Sequence, residues 1–348
     1  MEQVWNRKAL LELSILTELG FGNWGLVIGD LAWIIGNWYW VIFFSTPSSP
    51  SSPSSPSPCP LVPYSPYLSS SCKKTMLNFN WGQRTYLMGV LNVTPDSFSD
   101  GGEFNKPLVA LNQAVALTEN GADIIDVGGQ STRPGAEQIS LEEELERVLS
   151  VIEVIRPKIN VPISVDTTRA KVAKAAVDAG ANIVNDISGG TFDSLMFSTV
   201  AELKVPIVLM HIRGTPQTMQ QMTDYQDVIK EISDFLSQQI NAATAAGIER
   251  EKIIIDPGIG FAKNLEQNLE IFRRLTELKK LNSPILVGPS RKSFIGRILN
   301  QPDPKARVWG TAAACCAAIF NGADILRIHD VEQMRDVSMV ADALMRTN

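Results

Sequence analysis

A (β/α)8, or TIM, barrel is the fold class that this sequence predicts. From Thr85 onward, short β-branched apolar runs alternate eight times with longer stretches of helical spacing, the rhythm of parallel strands joined by crossover helices. All eight runs end in polar residues, and active sites of this fold gather at the carboxyl ends of the strands. A weak internal echo, Gly121-Ala-Asp, Gly180-Ala-Asn and Gly322-Ala-Asp, closes a helix with glycine and opens the next strand. A doubly wound open sheet is the rival arrangement, but its glycine-rich dinucleotide fingerprint is absent.

The elements follow in order. The first run, TYLMGVLNV, ends at Asn92 and passes into LNVTPDSFSDGG, a long polar loop of the kind that carries function. The second, DIIDVG, contains Asp126 and precedes GGQSTRPGA and the helical stretch EEELERVLSVIEVIR. The third, PISVDT, ends at Asp166 ahead of TRAKVAKAAVDAG, where a helix cap is the structural alternative. The fourth, NIVND, offers Asn185, and the fifth, PIVLMH, ends at His211, which reads equally as a hydrogen-bonded rim histidine. A long amphipathic stretch, YQDVIKEISDFLSQQINAATAAG, leads to the sixth, KIIIDP, with Asp256. The seventh, PILVG, runs into Ser290-Arg291-Lys292-Ser293 at a helix start, and the eighth, DILRIH, carries Arg327 and His329. Each residue alone has a structural explanation, whereas eight polar strand ends together are hard to ascribe to caps.

Charge is unevenly spread over that rim. Acids and amides gather on strands one to four and six, while Lys292, Arg327 and His329 come from strands seven and eight, where barrels of this kind often bind phosphate. The implied ligand is two-ended: an anion at one end, and at the other a flat, donor-rich group read by Asp166, Asn185 and Asp256.

Composition sets wider bounds. The chain has 348 residues, 45% hydrophobic content and a formal charge of −6, enough to bury a barrel-sized core, and it shows no basic stripe for a nucleic-acid partner. The four cysteines form no CxxC pair, which fits a reducing, cytoplasmic compartment rather than a disulfide frame or zinc site. The chain divides near residue 76. Residues 21–44 are apolar and long enough to span a bilayer, although Asp30 and two asparagines interrupt them, and a Ser/Pro-rich tract fills 45–72. Arg7 and Lys8 precede the apolar run and no Lys or Arg lies in 45–72, so a positive-inside anchor would export everything downstream. We therefore read residues 1–75 as an extension outside the natural protein, starting afresh at Met76; a membrane anchor is the alternative.

The motifs LNVTPDSFSDGG, DIIDVGGQSTRPGA, SVDTTR, NIVNDISGG, IIIDPGIGF, VGPSRKSFIG and GADILRIHDV, in this order from about Tyr86 to the end, resemble the dihydropteroate synthase family. One position departs: Gln130 stands where the family usually shows Glu. The resemblance implies that 4-aminobenzoate displaces pyrophosphate from 6-hydroxymethyl-7,8-dihydropterin pyrophosphate. It implies that Asp166, Asn185, Asp256 and Lys292 hold the pterin, that Asn92 binds Mg²⁺ with the pyrophosphate, and that Thr132, Arg327 and His329 contact the pyrophosphate. It further implies that Phe98, Asp100, Arg133 and Pro134 form a mobile lid which, with Lys292 and Ser293, encloses 4-aminobenzoate or a competing sulfonamide. Within that set Asp100, Arg133 and Lys292 are the expected catalytic residues. No nucleophilic Ser or Cys is required, and no Ser-His-Asp or Cys-His arrangement is identifiable. A homodimer is expected by the same resemblance, with the helix GTAAACCAAIF serving core or dimer packing. Two other classes are kept in view. A pterin-binding methyltransferase domain would not need STRPG, SRKS and RIHD together, and a non-catalytic pterin-binding homologue would lack Asp100 or Arg133.

Overall fold

The computed structural model describes residues 79–93 and 106–346; the reading of residues 1–75 and the assignments of Phe98 and Asp100 fall outside them. Eight parallel strands are laid down in chain order: β1 (Tyr86–Asn92), β2 (Ile124–Gly128), β3 (Ile163–Asp166), β4 (Ile183–Asp186), β5 (Ile207–Met210), β6 (Ile253–Asp256), β7 (Leu286–Val287) and β8 (Ile325–Ile328). Each coincides with one of the apolar runs. They pair in the order β6-β5-β4-β3-β2-β1-β8-β7, and a parallel bridge from Ile255 to Ile285 brings β6 against the chain entering β7, closing the ring.

The outer layer consists of α1 (Lys106–Glu119), α2 (Leu141–Ile155), α3 (Ala170–Asp178), α4 (Met196–Leu203), α5 (Val228–Ala245), α6 (Leu265–Arg274), α7 (Ser293–Leu299), α8 (Val308–Phe320) and α9 (Val331–Met345). Several starts are written locally. Ser140 accepts from the Glu143 N–H at the start of α2, Asp227 accepts from Ile229 and Lys230 at α5, and Asn264 with Gln267 forms a reciprocal capping box at α6. Among the described residues no helix is long and apolar enough to cross a membrane.

Strand periodicity explains how a nearly all-apolar sequence builds a polar mouth. Side chains alternate across a strand, so Leu87, Ile125, Val165, Val184, Leu209 and Ile255 face the helices and join the main core. The intervening residues face the barrel axis, and their lowest layer, Met88, Ile124, Ile183, Val208, Ile254, Leu286 and Ile325, forms a separate apolar cluster. Phe79 and Trp81 stack at 4.7 Å between ring centroids and pack with Tyr86 below that layer, plugging the barrel floor. Two residues further along β2, β4, β6 and β8 the same inward face becomes Asp126, Asn185, Asp256 and Arg327. One alternation thus produces both plug and site.

The Gly-Ala-Asp/Asn echo also has a physical reason. Gly121, Gly180 and Gly322 take φ of +103°, +116° and +95°, the left-handed conformation that ends a helix without a Cβ clash. The residue two places later then clamps a neighbouring strand. Asp123 accepts from the Leu87 N–H at 2.9 Å, Asn182 from Ile163 N–H at 3.0 Å, and Asp324 from Ile285 N–H at 3.0 Å. Each clamp joins the entry of one strand to the entry of its predecessor, at the end of the barrel remote from the polar mouth. Asn182→Ala would leave the Ile163 N–H without this acceptor and should lower unfolding free energy by about 1–3 kcal/mol. Urea denaturation should show that loss while ligand affinity at the opposite end stays unchanged.

Candidate active site

A cavity of about 740 Å³ opens at the carboxyl ends of the strands. Of the predicted site residues, Asn92, Thr132, Arg133, Pro134, Asp166, Asn185, Asp256, Lys292, Ser293, Arg327 and His329 all line it. His211 does not. Asp166, Asn185 and Asp256 are buried at its base, whereas Arg133, Pro134 and Ser293 are exposed at its mouth.

Arg327 organises the base. Its Nε donates to Asp126 Oδ2 at 2.6 Å and its Nη2 to Asp166 Oδ2 at 2.8 Å, while Asn185 Nδ2 donates to the same Asp126 oxygen at 3.1 Å. Burial opposes the guanidinium charge, but Asp126 and Asp166 outweigh it and hold the group above its ordinary pKa. Burial likewise drives the Asp166 carboxyl above the usual range, with Arg327 opposing. The helix-cap alternative for Asp166 is therefore not realised: α3 receives its side-chain acceptor from Asp193, which takes the Ala170 N–H at 2.8 Å. Nor does the rim divide cleanly into an acidic and a cationic half, because Arg327 reaches from β8 across to the acids of β2 and β3.

Asp256 ends β6 in a tight turn. Gly258 N–H donates to its Oδ1 at 2.7 Å, and burial pushes the carboxyl up to about 6 against that bond and the charges of Lys292, Lys263 and Arg327. Gly258 has φ +71°, and a Cβ there would lie 2.1 Å from His211 O, so the turn requires glycine. Phe261, in the same loop, presents its ring to Lys292 Nζ at 4.2 Å from the centroid, a cation–π contact. Burial lowers Lys292 to about 8. Ile187, Met210, Met219 and Phe261 supply apolar wall suited to a flat ring. Sequence reasoning missed these; the quoted motif IIIDPGIGF contained Phe261 but gave no sign of which face it would present.

At the anion end, Ser290 Oγ accepts from His329 N–H at 3.1 Å and lies 2.9 Å from Nδ1. Its own proton is thus available to Nδ1, which leaves the ring proton on Nε2 as a donor. Burial, then the Arg327 charge, holds His329 neutral, with a pKa near 3. Arg291 is engaged elsewhere: it pairs with Asp330.

Gln130, the departure from the expected motif, clamps the loop that carries Thr132 to Pro134. Its Nε2 donates to Ser131 O and Glu137 O, both at 2.8 Å, and its Oε1 accepts from Ile139 N–H at 2.9 Å. A carboxylate could make the last bond but could not donate to the two carbonyls. The loop also leans on the segment after β5, through Gly135 N–H to Pro216 O at 3.1 Å and Gln217 Nε2 to Ala136 O at 2.7 Å.

Comparison with known proteins places this geometry. The profile of the family described as pterin binding enzyme matches residues 88–329. A dihydropteroate synthase of Synechocystis is 60% identical over 268 residues, covering 77% of this chain and 93% of that protein. A Clostridium difficile dihydropteroate synthase, crystallised in the presence of pteroic acid, superposes with a TM-score of 0.74 at 44% identity, covering 78% of this chain and all of the other. The Xanthomonas albilineans dihydropteroate synthase with 4-aminobenzoic acid gives a TM-score of 0.72 at 42% identity, over 76% and 94% of the two chains.

Replacing Arg327 by Met should strand the buried Asp126 and Asp166 carboxyls, a loss of about 3–5 kcal/mol for one partner of a buried pair. Because protonation of Asp166 relieves part of that cost, the stability gap between variant and parent should narrow as pH falls from 8 to 5. Denaturant midpoints measured across that range give the check.

Proposed function

Because this chain belongs to the pterin binding enzyme family, and within it with the dihydropteroate synthases, we infer that its cavity condenses 6-hydroxymethyl-7,8-dihydropterin pyrophosphate with 4-aminobenzoate, releasing pyrophosphate. The observation that carries this reading is that a buried acid and amide base meets a cationic and histidine rim in one cavity. An ionised Asp256 would accept two parallel hydrogen bonds from the pterin amino group and ring nitrogen. Asn185 and Asp166 would meet the remaining ring edge, with Asp166 held in place by Arg327. Lys292, over Phe261, would border the pterin.

In the reaction the 4-aminobenzoate nitrogen forms a bond to the pterin methylene carbon as the carbon–oxygen bond to pyrophosphate breaks. The electron pair leaves with pyrophosphate, and the amine proton is lost to it or to water. Arg327 and the Nε2–H of His329 would donate to the departing oxygens, with Thr132 beside them, so that developing negative charge meets fixed donors. We assign Asp100 to the cationic methylene and Arg133 to Asp100 or the pyrophosphate; with Phe98, Pro134 and Ser293 they would enclose the aminobenzoate. Asn92 suits Mg²⁺, which prefers a few protein oxygens plus substrate phosphates and water to an all-protein cage. Among the described residues no cluster of three His, Cys, Asp or Glu offers such a cage. Mg²⁺ bound beside Asn92 would neutralise the leaving group.

We further propose a cytoplasmic homodimer. The free thiols Cys315 and Cys316 fit a reducing compartment, and exposed Trp309, Phe320, Met339, Val340 and Leu344 on α8 and α9 supply apolar surface for a second copy.

The decisive assay is pyrophosphate release that depends on both substrates; release without 4-aminobenzoate would refute the reading. Asp256→Asn should lose about 2–4 kcal/mol of pterin binding or catalysis, because an amide mispairs with one of the two donors. In the unaltered enzyme, pterin affinity should fall as pH drops below about 6, where Asp256 protonates. Calorimetry against pH measures both effects.

If residues 1–75 lie outside the working barrel, a chain of residues 76–348 should retain the full kcat/KM. The floor aromatics Phe79 and Trp81 lie inside that shorter chain. Loss of activity on trimming would assign the extension a role.

A further inference from the structure

His211 closes β5 as the polar-rim pattern requires, yet it does not line the cavity. It meets Lys263 instead. Lys263 Nζ lies 3.0 Å from His211 Nδ1, 2.8 Å from Phe261 O and 3.5 Å from His211 O, and Lys263 and His211 are each only 3% exposed. Three ammonium protons thus find three acceptors. Since an ammonium can only donate, Nδ1 accepts and the imidazole is neutral with its proton on Nε2. Burial, then the Lys263 charge, holds His211 down to about 2. The ring is walled by Phe235, edge-on at 5.0 Å, and by Tyr225 at 6.0 Å.

A buried ammonium in an aromatic setting is costly unless its charge is answered. The answering group is Asp256. A Cβ placed on Gly258 would lie 3.3 Å from Lys263 Nζ, so the ammonium sits directly under the turn whose N–H holds the Asp256 carboxylate. Burial draws Lys263 down to about 7 and Asp256 opposes that fall.

We propose that Lys263 is a positioning residue for the pterin end of the site: seated on His211 beneath the Asp256–Gly258 turn, it fixes the loop that carries Phe261 and places positive charge behind the Asp256 carboxylate. The proposal rests on the assignment of Asp256 to the pterin. Other charges face the same groups. Lys292 and Arg327 act on Asp256 from the cavity side, and Arg213 and Lys292 act on Lys263. Lys292 and Arg327 line the cavity and face the ligand. Lys263 does not, so its charge acts on Asp256 whether the site is empty or filled. Through Phe261 O it also sets the ring over which Lys292 lies, linking two pterin contacts to one buried amine.

The test is Lys263→Met, a side chain of similar length without charge or donors. Removing the charge disfavours ionised Asp256, so its pKa rises and pterin recognition fails at a higher pH than in the parent. The KM for dihydropterin pyrophosphate should rise about tenfold or more while that for 4-aminobenzoate stays within about twofold, and the acid limb of kcat/KM for the pterin substrate should move up by about one pH unit. Lys263→Gln keeps a donor without the charge. It should recover part of the KM but show the same displaced limb, and it carries the test if the Met variant does not fold. An unmoved acid limb, or equal rises in both KM values, would overturn the proposal. The unaltered enzyme is assayed first: absence of 4-aminobenzoate-dependent pyrophosphate release would refute the functional reading and this role with it, whereas an active parent with an unmoved limb in the variants refutes the positioning role alone.

Discussion

The structure depends most on one electrostatic constraint, the placing of several buried ionisable groups on the inner wall of a barrel, where burial penalises their charge. Arg327 meets that constraint at the centre. Held between Asp126 and Asp166, it lets two buried acids stand on neighbouring strands, and Asn185 completes the set by donating to Asp126. Without a cation there, carboxylates so close would have to take up protons or leave the interior. The base of the site is therefore charged and buried at once, a setting in which hydrogen bonds to a ligand are strong and misplaced ones are heavily penalised.

The same constraint recurs on a smaller scale around β6. Asp256 is balanced by backbone N–H, by Lys292 at the cavity and by Lys263 at its back. His211, also ionisable, stays neutral and acts as an acceptor. Each buried charge in this region is thus held by at least one partner that is not the ligand. The polar base is preformed, which lessens the ordering that substrate must impose.

Much of this was legible in the sequence because the signals are local and periodic. Eight β-branched runs located the strands, and the polar residue closing each run pointed to the mouth, so Asp166, Asn185, Asp256 and Arg327 could be named before any coordinates. Pairings between distant segments could not be read. Nothing local says that Arg327 pairs with Asp126 and Asp166 as well as facing the ligand, or that His211 turns to Lys263. Those outcomes depend on which side of a closed ring each loop returns to. Apolar wall residues such as Met210 and Phe261 were equally silent, since a lining methionine and a core methionine look alike in a sequence.

The Asp123, Asn182 and Asp324 clamps have a consequence for chemistry at the other end of the barrel. Strand side chains alternate with a period of two, so sliding a strand by one residue exchanges its inward and outward sets. A slip of β3 would turn Val165 or Thr167 toward the axis and send Asp166 to the helices, where no guanidinium waits for it. By holding N–H groups at the entries of β1, β3 and β7, three small polar side chains together act as an index mark: they favour the register that addresses the right letter of those strands to the substrate, and they do so from a distance at which no substrate can disturb them.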